Sequence, residues 1–325
     1  MWLKSIRTRR TLPAPSATGV GKVKGVFDTK AESGYDDDIS RRYHFPRQYR
    51  ALADSLAGSW IVYREPQRNA GRRAYVAVAR VTHIQDDIER PGHAYAYVAD
   101  YLPFDRPVPF VVAGRYAEAP LRTIAEPTRI GAYLQGKSIR QLSDEDFALI
   151  VRRGLGETLA PENAIRLELD DRYVDRETLS LLEASQDEQE RRIEQILVNR
   201  KIRDASFRAH VCDAYEHTCA ITRLKIVNGG GKSEAQAAHI WAVAQGGPDV
   251  VQNGLALSAT FHWLFDRYLI SLTDDYRILV SHNKVPSELQ SLFAKQMDRI
   301  HLPADKRHWP HPAYIARHRE HFAAG

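Results

Sequence analysis

The sequence predicts an α+β protein: a strand-rich first unit, a helical connector and a mixed second unit. Three observations predict it. The chain has 325 residues, and at roughly 150 residues per domain that length suggests about two domains. From Gly25 to about Val112, runs of Val, Tyr and Ile alternate with Gly, Pro and Asp, a strand texture. From Ser143 onward apolar residues recur at helical spacing, until residues 218–282 switch to strand, strand, loop and short helix.

Composition narrows the class. Hydrophobic residues make up 43% and charged residues 27% of the chain, values typical of a folded globular protein and far from disorder or collagen. No run approaches eighteen apolar residues, so no membrane partner is expected. Met1 to Arg10 carry Lys4, Arg7, Arg9 and Arg10 with no apolar run behind them, which does not fit a secretory signal. Two cysteines, Cys212 and Cys219, exclude a disulfide framework and a four-cysteine zinc ribbon. A reduced, cytoplasmic setting fits best. Net charge +5 and a pI of about 9.1 allow a polyanionic partner.

Residues 1–22, basic and then rich in Pro, Ser, Ala and Gly, are expected to form a mobile arm. The first unit is expected over 23–140, with strands at Trp60–Tyr63, Ala74–Val81, Ala94–Ala99 and Val108–Val112. Four arginines, Arg64, Arg68, Arg72 and Arg73, crowd one loop. Tyr101 to Phe110 holds three prolines and cannot be a central strand. Eight of fifteen tyrosines lie between Tyr35 and Tyr101, which suits half-buried strands. The connector is expected over 141–199. Ser143 ahead of Glu145 and Asp146 reads as a helix start, and a charged helix should run from about Gln186 to Asn199. The second unit, 200–325, should open with a helix capped by Asp204 carrying Phe207, Val211, Ala214 and Tyr215 on one face.

Residues 218–282 carry the chemistry. A strand is expected at Cys219–Thr222, a Gly-rich turn at Asn228 to Ser233, and a strand over Glu234–Ile240 that ends with His239. A loop leads to Asn253, and Ser258 caps a helix Ala259 to Asp266 carrying His262. Asn253 lies fourteen positions after His239, and His262 nine positions after Asn253. An imidazole can take a proton from water near neutral pH, which suits His239 as a general base. The Asn253 carbonyl can accept the other ring N–H and aim the ring. His262 can hold a divalent metal at a phosphate, and Asp266, four residues on, shares its helix face.

With CAIT, AAHI, QNGLAL and FHWLFD as its phrases, the segment resembles the HNH nucleases of the ββα-metal fold, in the branch reading AAHI…NGL…H-x-LFD. The similarity continues through LISLTDDYRILVS, an expected hairpin, to a closing helix at YIARHREHF. It implies a DNA endonuclease with His239, Asn253 and His262 as catalytic residues. His262 and Asp266 would bind one Mg²⁺ or Mn²⁺. Many relatives carry Asp or His immediately before the base histidine; here that position is Ala238. Either water, backbone or substrate oxygens complete the metal sphere, or the fold is a dead DNA-binding one; Glu234 or Gln236 could compensate. Cys219 is expected to pack in the core rather than bind zinc.

Lys225, Lys232 and Arg267 flank this segment and, with Arg64, Arg68, Arg72 and Arg73, are candidates for phosphate contact. The first unit's texture is similar to PUA-like β-barrels, including EVE domains, which accompany HNH nucleases in modification-dependent restriction enzymes. That resemblance implies a reader of modified cytosine. A flipped base needs aromatic walls and a carboxylate for its exocyclic amine. Tyr43, Phe45, Tyr49, Trp60, Tyr63 and Asp37 are the candidates, with Asp36 and Asp38 beside it. Paired nicking of both strands would call for a homodimer. The competing reading is a first unit that senses a small ligand or a protein.

Overall fold

The structure is a computed structural model, and it describes residues 23–29, 38–67, 71–160, 163, 175–229, 233–281 and 284–324. The expected arm 1–22, most of 161–174, and Asp36, Asp37, Arg68 and Lys232 lie outside the described residues.

The first unit runs β1 (Lys24–Asp28), β2 (Arg42–Pro46), α1 (Arg50–Ser55), β3 (Trp60–Glu65), β4 (Ala74–Asp86) and β5 (His93–Pro109). A small hairpin of β6 (Val111–Val112) and β7 (Arg115–Tyr116) follows, then α2 (Ala119–Arg122), α3 (Ile130–Leu134) and β8 (Ile139–Leu142). One six-stranded sheet has the order β2-β5-β4-β3-β1-β8. β1 and β3 run parallel, and the other neighbours are antiparallel. The sheet curls as a half-barrel whose end strands, β2 and β8, do not pair with each other among the described residues. Three register shifts between β4 and β5 bend it.

Both faces of the middle strands are covered. Trp60 and Val62 face one cluster with Tyr75, Val78 and Phe147. Ile61 and Tyr63 face the other with Phe27, Tyr43, Phe45 and Tyr49 inside the curl. Alternation along a strand produces this split, and β-branched residues tolerate burial on both sides. The proline-rich stretch is strand after all, since β5 continues to Pro109. It pairs there only with β4, because β2 reaches β5 only over His93–Tyr97. The three prolines therefore sit where no second ladder needs their missing N–H.

α4 (Asp144–Gly154) starts as expected: the Ser143 hydroxyl accepts from the Asp146 N–H. α5 (Arg176–Leu182) comes next, and the single expected charged helix is two shorter pieces, α6 (Gln186–Arg191) and α7 (Ile193–Val198). α8 (Arg200–Ala214) begins earlier than expected, and its cap is Asn199, whose side chain accepts from the Ile202 N–H; Asp204 lies inside the helix. Ile202 and Ala205 of α8 belong to the first unit's core, and Phe207, Val211 and Tyr215 to the second's. One rigid helix is thus shared by both cores.

The second unit holds β9 (Gln236–His239), β10 (Gly254–Leu257), α9 (Ala259–Asp266), β11 (Ile270–Leu272), β12 (Ile278–Val280), α10 (Ser287–Gln296) and α11 (Pro312–Ala324). Cys219–Thr222, expected as a strand, is a turn. The paired strands are instead β9 and β10, so the chain enters α9 directly from the second strand. α9, the β11–β12 hairpin and the closing helix stand where expected. Cys219 is buried and free, consistent with core packing. No described helix is long and apolar enough to cross a membrane.

Candidate functional site

β9 and β10 pair so that His239, at the end of β9, faces Gly254. α8 lies behind them. The Phe207 ring stacks under the His239 imidazole at 3.7 Å and 7°, which fixes the plane of the ring. Gly254 is required here, because a Cβ would stand 2.4 Å from the Val211 side chain. α9 then brings His262 and Asp266 to the same opening. A cavity of about 670 Å³ results, lined by His239, His262, Asp266, Gln236, Asp204 and Arg208 among others.

The partner of the base differs from expectation. His239 Nε2–H donates to Asp249 Oδ1 at 3.1 Å. Asn253 is fully buried and does not meet the ring. Its Oδ1 accepts from the Trp241 N–H at 2.8 Å, and its Nδ2 donates to the carbonyls of Trp241 and Pro248, each at 2.9 Å. Asn253 therefore closes the loop 241–248, and that loop presents Asp249 to His239.

Asp249 is itself buried, at 2% exposure. Arg203 donates to its Oδ2 from Nη2 at 2.8 Å and Nε at 3.2 Å, and Arg200 approaches at 3.4 Å. Burial alone would raise the pKa of this carboxyl; the His239 hydrogen bond and the Arg203 and Arg200 charges outweigh it and hold it below the usual range. An ionised Asp249 keeps the proton on Nε2 and leaves the Nδ1 lone pair of His239 as the basic site. Sequence reasoning missed Asp249. Its only signal was an acid beside the Gly246–Gly247–Pro248 turn.

His262 Nδ1–H donates to Gln236 Oε1 at 3.0 Å, so in the neutral ring Nε2 carries the lone pair, and it lies 3.3 Å from Asp266 Oδ2. Two electron-rich atoms converge there, an arrangement a shared cation stabilises. One imidazole and one carboxylate suit a divalent ion whose other ligands are water and phosphate oxygen. The donor set fits a metal of this kind. Among the described residues no group of three or more His, Cys, Asp or Glu side chains gathers for a metal. Ala238 is fully buried in the core. Of the two residues weighed as compensation, Gln236 contacts His262, and Glu234 accepts from the Ala259 N–H at the start of α9.

The remaining candidates scatter. Lys225 is exposed on the loop before the Gly-rich turn, and Arg267 is exposed with its guanidinium over Trp263 at 4.6 Å; neither lines the cavity. Arg64 is not a phosphate contact: it is 5% exposed, donates to Asp28 and lies on the Phe110 ring. Arg72 is bound by Glu65 through its backbone and guanidinium, and Arg73 is exposed. Tyr43, Phe45, Tyr49, Trp60 and Tyr63 do not wall a pocket. They are core residues between 0% and 9% exposed, because each points to a covered face of the sheet. Asp38 accepts from Ser40, and Tyr314 Oη–H lies 3.4 Å from its Oδ2.

Residues 219–273 match the HNH endonuclease family. They contain His239, Asn253, His262 and Asp266, so this segment of the chain is of the HNH endonuclease kind. Among solved structures it is similar to a modification-dependent restriction endonuclease, TagI, at 25% identity and a TM-score of 0.30, over 38% of this chain and 39% of that enzyme. It is also similar to ScoMcrA, a type IV phosphorothioation-dependent restriction endonuclease, at 15% identity and a TM-score of 0.20, over 91% and 54%. A third is Rpa0253 from Rhodopseudomonas palustris, at 14% identity and 0.30, over 41% and 92%. The chain thus spans about two fifths of the TagI enzyme. No curated protein matches it.

Proposed function

We propose that this nuclease is a metal-dependent DNA endonuclease with a restriction role, in which the first unit, a PUA-like reader, directs cutting to DNA carrying modified cytosine. The observation that supports the cutting half is the His239–Asp249 pair facing the His262–Asp266 pair across one cavity. Asp249 holds His239 as the Nε2–H tautomer. His239 Nδ1 takes a proton from the attacking water, whose oxygen bonds to phosphorus as the 3′ oxygen leaves. Phe207 beneath the ring prevents it from turning away. Mg²⁺ or Mn²⁺ at His262 and Asp266 would supply Lewis-acid stabilisation of the phosphate and of the leaving oxygen. Asn253 acts by holding the loop that carries Asp249.

The reader half rests on the pairing of a curled, aromatic-rich sheet with a nuclease domain; a pocket for the base would have to lie outside the five core aromatics. Cutting both strands would call for a homodimer. The deciding experiment is a cleavage panel of plain, methylated, hydroxymethylated and glucosylated duplex with Mg²⁺ or Mn²⁺. Modified cytosine should be cut preferentially, and His239→Ala should slow cutting by about 10²–10⁴-fold. Equal cutting of all four duplexes overturns the reader. Absence of cutting on any of them with either metal overturns the endonuclease, in favour of a dead DNA-binding fold.

A further inference from the structure

The outward face of the first sheet carries polar rings and cations in a row. Along β2, Tyr43 and Phe45 point into the core, so Arg42 and His44 point the other way. Register sets Arg42 opposite Tyr97 and His44 opposite Tyr95 on β5, and His83 of β4 opposite Tyr97. The side chains touch in order. His83 lies flat on Tyr97 at 4.6 Å and 2°, Tyr97 meets Tyr95 at 6.2 Å, and Tyr95 stacks on His44 at 4.5 Å. The Arg42 guanidinium sits 4.8 Å over the Tyr95 ring. Ring faces are spent on one another. His44 is buried with Nε2 3.0 Å from Asp87 Oδ2, so what the row offers a partner is the exposed His83 imidazole and the Tyr97 phenol.

This row opens into a cleft of about 1000 Å³ between the sheet and the second unit. Arg42, His83 and Tyr97 line one wall, and Arg200, Arg203 and His311 the other. The carboxylates in the cleft have internal partners: Asp38 with Ser40, Asp100 with Arg80, and Asp249 with Arg203 and His239. Arg41 is exposed at the cleft and rests on Trp241 at 5.1 Å; among the described residues it has no carboxylate partner. Arg200 and Val243 line both this cleft and the His239 cavity, so the two adjoin.

We infer that this face and cleft seat the sugar–phosphate backbone of duplex DNA and lead it to His239. The inference rests on the nuclease reading and names where the first unit meets the substrate. Phosphate oxygens only accept hydrogen bonds; Arg41 and His83 are the exposed donors of this surface, while Arg200 and Arg203 are held by Asp204 and Asp249. Contact of this kind is independent of base sequence and of modification.

The test uses the full chain with His239→Ala, binding a short plain fluorescent duplex across a salt series without divalent metal. Adding Arg41→Glu and His83→Glu should weaken binding about tenfold or more at moderate salt. It should also reduce the slope of log affinity against log salt by about one, the share of the Arg41 cation. Both positions are exposed, so the melting temperature should hold. If it does not, Arg41→Gln alone decides by its slope, expected to fall by about one. Unchanged affinity and slope overturn the surface, and if the parent protein still cuts DNA they leave the nuclease reading standing. A His239→Ala protein that binds no duplex overturns the surface too, and a parent protein that cuts nothing overturns the nuclease reading itself.

Discussion

His239 owes its chemistry to three contacts made by residues far apart in the chain. Phe207 sets its plane, Asp249 sets its tautomer, and Arg203 holds Asp249. Arg203 also donates to the Tyr101 carbonyl at 3.3 Å, which ties the base to strand β5 of the other unit. Asp249→Asn keeps the shape but removes the charge. A hydrogen bond to a charged group is worth about 1.5–3 kcal/mol, so cleavage should fall about 10- to 100-fold. The rate should fall with little change in duplex affinity, because Asp249 is 2% exposed and held by Arg203 and His239. An equal loss in affinity would instead mark it as part of the binding surface. His239 and His262 were legible in the sequence, since motif and spacing name them together. Asp249 was not: ten residues downstream, it reaches the ring only because the loop folds back.

The loop 241–249 shows how an element is held by backbone rather than by its own side chains. Gly246 takes φ +94°, a left-handed conformation open to glycine at little cost. Gly247 lies so close to Trp241 that a Cβ would stand 1.9 Å from its carbonyl oxygen and 3.0 Å from Asn253 Nδ2. Gly247→Ala should therefore force the loop open, release the Asn253 bridge and lower both melting temperature and cleavage. A crystal structure or melting curve of the variant that matches the parent would refute the argument. At this scale α4 followed from its Ser143 cap, while α9 and the β11–β12 hairpin stand where the resemblance placed them, Ser258 making no side-chain cap hydrogen bond. The turn at Cys219–Thr222 did not, because a four-residue apolar run reads the same as a short buried strand. Nor did the extension of β5 through three prolines, which depends on which neighbour each residue lacks.

Across the whole molecule, α8 joins two cores and α11 closes the second. His318 of α11 is buried against Phe265, with Nε2 3.0 Å from the Phe265 carbonyl and Nδ1 2.9 Å from Ser271 Oγ. Burial pushes its pKa down from 6.5 to about 4. Between those values the unfolded chain binds the proton and the folded chain does not, so stability rises with pH across that window. Stability should be lost as pH falls below about 6.5, by about 3 kcal/mol once pH passes 4. Thermal melts at pH 7 and pH 4.5 measure it. His318→Gln should show a smaller drop between the two than the parent; an equal drop would place the titration elsewhere.

By itself the sequence determined the class and the chemistry: an α+β chain, a nuclease segment, and two histidines at motif spacing. These are local properties, carried by periodicity, caps and spacing within a few dozen residues. Only the tertiary structure decided which aromatics are core and which face outward, because adjacent residues on one strand point to opposite faces. It also decided that Asp249 rather than Asn253 meets the His239 ring, that Arg64 is internal, and that a cleft between sheet and second unit adjoins the His239 cavity. Those outcomes depend on loop closure and on packing between segments more than a hundred residues apart. Composition and spacing are silent there, because they do not report which distant groups share a space.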